Sequence, residues 1–402
     1  MEKEPWNIVR LLAVTQILSW GSLYYAFAIV APDIARDSGW STETVYGAYS
    51  WSLLIAGLAT TPAGMLLDRY GGRLVMGSGS LLAAIGLVGL SLAQTLFVYF
   101  IAWSLLGLAM AMVLYEAAFA TINREFLLQA RKAISVVSLA GGLASTAFWP
   151  LTLKLHAFWD WRRIFLVYGL LHLLLCLPLH LRLPGGARPL AAPAPAPDRR
   201  GRDHTLAEAL RDPVFWKLAF AFSTNMFIFS AMAVHLIPLL QRFGHSAAAA
   251  VLAASAIGPM QVAGRVGEMA VARRLQPQAV GVLTFALVPP ALLVLLLFGR
   301  SEAAALVFCI LYGVSNGILT IVRGIVPQSL FGRENYGAIS GALAAPSLLA
   351  RAAGPLAAAA LIAAHPQPVW LLGTLLLAAL VSLACYLAAV RTQRAARPAF
   401  PR

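Results

Sequence analysis

The sequence predicts an all-α membrane protein of twelve transmembrane helices in two six-helix bundles. Three observations carry this reading. The composition is 60% hydrophobic and 11% charged. Apolar runs recur along the whole chain, and one long polar stretch divides them in half. A soluble domain carries about 25% charged residues, so water is not this chain's main solvent. A spanning helix needs about 20 apolar residues. Such runs fall at 8–31, 44–67, 74–93, 97–122, 133–158, 164–183, 215–240, 247–272, 279–298, 303–326, 338–363 and 369–390. The fifth and eleventh are rich in Gly, Ala and Ser, which suits helices packed on other helices.

The polar stretch lies between the sixth and seventh runs. It holds Pro184-Gly185-Gly186, an Ala/Pro tract at 191–197 and the basic group Asp198-Arg199-Arg200-Gly201-Arg202. Such a tract makes a semi-rigid solvated linker. Thr205 followed by Glu208 fits a capping box that opens a short helix. The expected organisation is a first bundle at 1–183, a cytoplasmic linker at 184–212, a second bundle at 213–392 and a cytoplasmic tail at 393–402. The start, Glu2-Lys3-Glu4, leads into a run too long for a signal peptide and without a small-residue cleavage site, so a retained first helix is expected.

The formal charge is +14. Nucleic-acid binding is excluded as its cause, because the charge is not gathered on a soluble domain. With both ends in the cytoplasm, Arg36, Lys154, Arg162, Arg163, Arg242 and Arg300 fall in outer loops. Arg265, Arg323 and Arg351 fall inside spans, and the other Lys and Arg fall in cytoplasmic segments. That bias follows the positive-inside rule. Cys176, Cys309 and Cys385 lie scattered in apolar runs, with neither disulfide nor metal spacing.

Between the second and third runs stands Gly64-Met65-Leu66-Leu67-Asp68-Arg69-Tyr70-Gly71-Gly72-Arg73. It reads as a tight charged hairpin. Asp68 can accept from a neighbouring helix end, Arg69 and Arg73 face water or headgroups, and Gly64 and Gly71 permit close approach and a turn. A weaker echo, Gly264-Arg265-Val266-Gly267-Glu268 with Arg273-Arg274, sits after the core of the eighth run. The pattern from Gly64 to Arg73 resembles the signature between the second and third helices of the major facilitator superfamily of secondary transporters. The resemblance implies related halves, a substrate site near the membrane midplane, alternating access, a bacterial inner-membrane location and a monomer as the default. No cofactor is expected.

Ionisable and polar groups inside spans make a short list, because lipid makes them costly. Arg265 lies four residues after Gln261, on the same helix face. Its guanidinium can grip a carboxylate with two parallel hydrogen bonds, or it pairs with Glu268 or snorkels to the inner surface. Tyr312 and Asn316 share a face of the tenth run and either bind a polar substrate or join helices. Arg323 continues that stripe toward the cytoplasm and reads as an anchor for helix ends. Tyr115 and Glu116 lie past the middle of the fourth run. Glu116 either carries a proton when desolvated or neutralises an arginine. Arg351 is a second anion anchor or that arginine. His235, near the outer surface, either senses pH or is a hydrogen-bonded interfacial group. Trp20, Tyr24, Tyr25 and Phe27 wall a cavity or form part of an interfacial belt. Pro150, Pro259, Pro346 and Pro355 are expected to break helices inside spans.

Shorter matches narrow the resemblance. Gly39-Trp40-Ser41, the stretch from His235 to Leu240, the Gln261/Arg265 and Tyr312/Asn316 pairs, and Phe331-Gly332-Arg333 are similar to bacterial members of the monocarboxylate transporter-like group. That resemblance implies that Arg265 binds a substrate carboxylate, with Tyr312, Asn316 and Tyr115 completing the pocket. Animal relatives carry an aspartate where this chain has Gln261, and a lysine in the first helix. This chain's first run has no Lys, Asp or Glu, so proton coupling by that route is in question.

The leading expectation is a transporter of a small organic anion, with protons a candidate coupling ion. The alternative is an efflux pump for a drug-like or metalloid compound, coupled through Glu116. A sensor would need a signalling domain, for which linker and tail are too short. An enzyme would need clustered His, Cys or carboxylates, and the seven histidines are scattered. There is no nucleotide-binding glycine loop with Lys-Ser/Thr.

Overall fold

The computed structural model describes residues 5–126, 128–186, 203–271 and 274–396. Most of the expected linker, the start Glu2-Lys3-Glu4, Arg273 and the end of the tail lie outside the described residues. Eleven helices among the described residues are long and apolar enough to cross a membrane. They are Trp6–Ser38, Glu43–Tyr70, Gly72–Leu92, Leu96–Glu125, Ala130–His156, Trp161–Leu181, Pro213–Arg242, Pro277–Phe298, Glu302–Phe331, Tyr336–Ala364 and Pro368–Thr392. The eighth expected run appears as two shorter helices, Ala247–Ser255 and Ile257–Val271.

The chain divides into two compact units. Unit 1 is Met1–His204 with Phe331–Ala345, and unit 2 is Thr205–Leu330 with Pro346–Arg402. The first turns of the eleventh span therefore group with unit 1. The outer surfaces of the spans remain apolar, as with Leu58, Leu174, Leu252 and Leu377. That is the surface a helix presents to acyl chains, where its own backbone bonds leave nothing unpaired.

Within unit 1, spans approach through small residues. A Cβ on Gly79 would stand 2.7 Å from Met112 Cβ, and one on Gly86 would stand 2.7 Å from a Leu106 methyl. The third and fourth spans are thus packed at backbone distance, where dispersion rather than the hydrophobic effect holds helices together. In unit 2, Tyr386 of the twelfth span stacks on Phe285 of the ninth at 4.5 Å and donates to the Gln278 carbonyl.

Several spans are irregular. The first contains a π-helical turn at Gly21–Tyr25 and continues past the expected boundary to Ser38. The sixth contains a second π turn at His172–Cys176. The two meet where Ser22 Oγ lies 2.8 Å from His172 Nε2. The fourth span breaks at Leu114, whose backbone is extended. The break frees the Val113 carbonyl, and Gln16 Nε2 donates to it at 2.6 Å. Pro346 and Pro355 do not break their span. The eleventh helix runs through both, and interruptions fall instead at Leu143 and Ala256. A proline in a packed span is tolerated when neighbours satisfy the carbonyl it frees. One such case is Pro355, which frees the Arg351 carbonyl four residues before it, and Ser230 Oγ donates to that carbonyl.

Candidate functional site

The charged hairpin is built as its residue types demand. Gly71 ends the second span at φ +82°, a conformation that disfavours a side chain, and its N–H donates to Leu67 O at 2.8 Å. Asp68 stands one turn before that end. Its two carboxylate oxygens accept from the backbone N–H groups of Gly337 and Ala338 at 2.9 and 2.8 Å. Those are among the first N–H groups of the eleventh helix, which have no partner inside the helix and carry its positive end. Gly64 makes the approach possible, since a Cβ there would collide with the Gly337 carbonyl.

Arg73 donates from Nε to Leu183 O at 2.8 Å, and Arg69 is exposed beside Tyr70. Arg124 escaped the sequence reading. Its Nη1 donates to Leu67 O and Asp68 O at 2.8 and 3.0 Å, at the carbonyl end of the second helix. Its only sequence signal is a charge at the inner end of the fourth span. Arg333 acts similarly, donating to Asn123 O and Phe126 O.

In unit 2, the eighth and tenth spans meet through glycines. A Cβ on Gly264 would stand 2.6 Å from Val314 O, and one on Gly317 would stand 2.8 Å from the Gln261 Cα. Gly313 lies equally close to Ile257 and Met260. This packing brings the Gln261/Arg265 helix against the Tyr312/Asn316 helix. Arg265 is 5% exposed. Its Nε has no hydrogen-bond partner, and no ion pair engages it among the described residues. Glu268 is also buried but is not its partner. Gln261 and Asn316 are half-buried. Tyr312 is buried. Its hydroxyl donates to Phe229 O at 2.9 Å, and its ring stacks on Phe308 at 5.1 Å.

The other in-span arginines are placed differently. Arg323 is half-buried, with Nη1 at 3.7 Å from Met226 Sδ. Arg351 is half-buried, and its carbonyl accepts from Ser230. In unit 1, Tyr115 opens the second part of the fourth span. Its hydroxyl donates to Ser138 O at 3.0 Å, and its ring stacks on Phe119. Glu116 beside it is half-buried. At the outer end of the same unit, Asp33 of the first span accepts from both His156 and Arg36. The sequence reading missed this cluster because it ended the first span before Asp33. Among the described residues no group of His, Cys, Asp and Glu could hold a metal ion.

Comparison with known proteins bears on this architecture. The profile of the Major Facilitator Superfamily matches residues 12–355. The chain is 29% identical over 380 residues to a Thermoproteus tenax protein described as an uncharacterized 38 kDa protein in the 23S RNA operon, covering 87% of this chain and 93% of that one. It is 25% identical over 325 residues to monocarboxylate transporter 4 of Rattus norvegicus, covering 77% of this chain and 68% of the relative. In fold it is similar to the human organic anion transporter MFSD10 (TETRAN), with TM-score 0.65, 19% identity and coverage of 94% and 96%. It is also similar to a variant of the E. coli fucose:proton symporter FucP, with TM-score 0.69, 11% identity and coverage of 97% and 98%.

Proposed function

We propose that this chain, which belongs to the Major Facilitator Superfamily and is therefore a multi-pass membrane transporter of a small molecule, carries a small organic anion of the monocarboxylate type by alternating access. The observation that carries the proposal is Arg265. A buried guanidinium with an unpaired Nε is costly in a membrane protein. A carboxylate cargo offsets that cost, because the planar fork of arginine matches two carboxylate oxygens. The names of two similar proteins, a monocarboxylate transporter and an organic anion transporter, support the same class.

Gln261 and Asn316, half-buried on the facing helices, supply amide hydrogen bonds to the rest of the cargo. The Tyr312 and Tyr115 hydroxyls donate hydrogen bonds to backbone carbonyls. The two tyrosines serve as ring walls whose oxygens still accept. Glu116 and Arg351 are held as further charges in the transport path. The excess of Lys and Arg in cytoplasmic segments supports a bacterial inner-membrane orientation with both termini inside. A monomer, with protons as coupling ion, completes the proposal.

The test is Arg265→Gln in proteoliposomes, with radiolabelled lactate and pyruvate. The expected loss in uptake efficiency is about 100-fold, from removing one partner of a desolvated charge pair. The same variant should melt no lower than wild type, since nothing among the described residues pairs with the lost charge. Normal uptake by Arg265→Gln refutes the anion clamp. A sharp loss of stability would show instead that the arginine is structural.

A further inference from the structure

Unit 1 holds a buried histidine that the Arg265 reading does not use. His172 lies in the π turn of the sixth span, and Ser22 lies in the π turn of the first. The two side chains meet at 2.8 Å, and both are buried. The hydrogen bonds fix which ring nitrogen carries the hydrogen. Ser22 Oγ donates its one proton to Leu18 O at 2.7 Å. Its oxygen can then only accept, so His172 donates from Nε2. Nδ1 is therefore the nitrogen with the lone pair. It is buried and has no hydrogen-bond partner among the described residues.

Packing alone does not account for this arrangement. A π turn is rare, and such turns collect at functional sites. Here two of them, on different spans, face each other across one hydrogen bond. A leucine would fill the space without leaving a buried acceptor unpaired, which destabilises a fold. Nor does a charge fix the ring in one state. The π turn of the sixth span packs on the first and third spans. The stretches 11–32, 74–92 and 164–181 contain no Asp, Glu, Lys or Arg. Charges stand only at the ends of these spans. Arg10, Arg163 and Arg182 are exposed there, Arg73 donates to Leu183 O, and Arg162 donates to Ser91 O and Ala93 O. Asp33 is held by His156 and Arg36, and Asp37 by Arg36. Tyr24, Tyr25, Tyr168, Cys176 and His180 are the other titratable side chains in the three stretches.

We infer that His172 Nδ1 is the acceptor of the coupling proton. The inference rests on the proton as coupling ion in the proposed function. With the π turns closed, an imidazolium would have no counter-charge beside it, so the ring is neutral. When the first and sixth spans part at these turns, water reaches Nδ1 and a proton from that water takes up its lone pair. The proton returns to water before the turns close again, and no bond other than N–H is made or broken. Acid therefore favours the parted arrangement, and the closed one is kept at higher pH and lost as pH falls.

His172→Gln tests this, since its amide still donates to Ser22 but offers no basic nitrogen. The first arm needs no cargo. Amide hydrogen exchange of residues 21–25 and 172–176 in purified full-length protein is compared between wild type and variant at about pH 8 and about pH 5, the range over which a hydrated imidazole changes charge. Comparison at one pH cancels the intrinsic exchange rate. The two proteins should match at the higher pH, and at the lower the wild type should exchange at least about tenfold faster, the weight of one pH unit. The same ratio at both pH values overturns the proposal. The second arm uses labelled lactate and pyruvate in proteoliposomes. A gradient of about one pH unit, alkaline inside, should raise wild-type accumulation about tenfold. His172→Gln should lose that rise and keep the swap of labelled for unlabelled acid at equal pH, which also certifies its fold. A variant that keeps the rise, or a wild type without one, overturns the role of His172 and leaves the Arg265 clamp standing. If neither protein moves these acids while the amide difference persists, the anion reading fails and the proton site stands. Should His172→Gln not fold, Ser22→Ala carries the test. It removes a bond made only in the closed arrangement, so opening should shift to higher pH by up to about one unit. An unmoved profile overturns the proposal.

Discussion

Asp68→Ala isolates what the charged hairpin does inside unit 1. The substitution removes two charge-assisted hydrogen bonds, to the N–H groups of Gly337 and Ala338. Each bond of that kind is worth about 1.5–3 kcal/mol. Gly337 and Ala338 are buried, so water does not readily replace the lost acceptor. The positive end of the eleventh helix also loses its anion, worth about 0.3–1 kcal/mol. Against this, the half-buried carboxylate no longer has to be held out of water, which returns part of the sum. The net expectation is a loss of about 2–4 kcal/mol, or about 4–16 °C for a cooperative unit of some two hundred residues. Asp68→Asn keeps one acceptor but turns an NH₂ toward the second donor, so it should lose about half as much. A thiol-reactive dye reads the transition, because Cys176 and Cys309 are buried and react only on unfolding. An Asp68→Ala protein that melts within about 1 °C of wild type, or an Asn variant less stable than the Ala variant, would refute this account of the hairpin.

Two other substitutions probe the site. Gly317→Ala would drive a methyl into the Gln261 carbonyl oxygen and force the eighth and tenth spans apart. It should cost about 1–3 kcal/mol by overpacking and reduce uptake by displacing Arg265; unchanged uptake at normal expression would remove that packing from the argument. Tyr312→Phe deletes the bond to Phe229 O and keeps the ring stack. It should cost about 1 kcal/mol in stability and less than about threefold in transport affinity, where a loss of about 100-fold would make the hydroxyl a direct substrate ligand.

The parts of this fold that were legible in the sequence are those set by local cost. Spans announce themselves because lipid excludes charge over about 20 residues. The hairpin stands out because Asp68, Arg69 and Arg73 sit where the neighbouring residues carry no charge. The irregularities were not legible, because their causes lie on other spans. The break at Leu114 depends on Gln16, one span away in packing and 97 residues away in sequence. The first apolar run ends at Ala31, because Pro32, Asp33 and Arg36 interrupt its hydrophobicity. Asp33 stays in the helix because His156 and Arg36 both bind it.

The three in-span arginines mark the limit most sharply. In the sequence, Arg265, Arg323 and Arg351 are the same residue in the same kind of apolar run, told apart only by their neighbours along the chain and by the family resemblance. What separates them is burial and partnership, which are properties of the packed helices. Arg323 and Arg351 are half-buried and engaged. Arg265 is buried because Gly264 and Gly317 draw its helix onto the tenth span, and that approach leaves no carboxylate beside its Nε among the described residues. The glycines therefore set the charge apart as much as the arginine supplies it. A search of related sequences for an unpaired buried arginine should accordingly look for small residues at the 264 and 317 positions before it looks for the arginine itself.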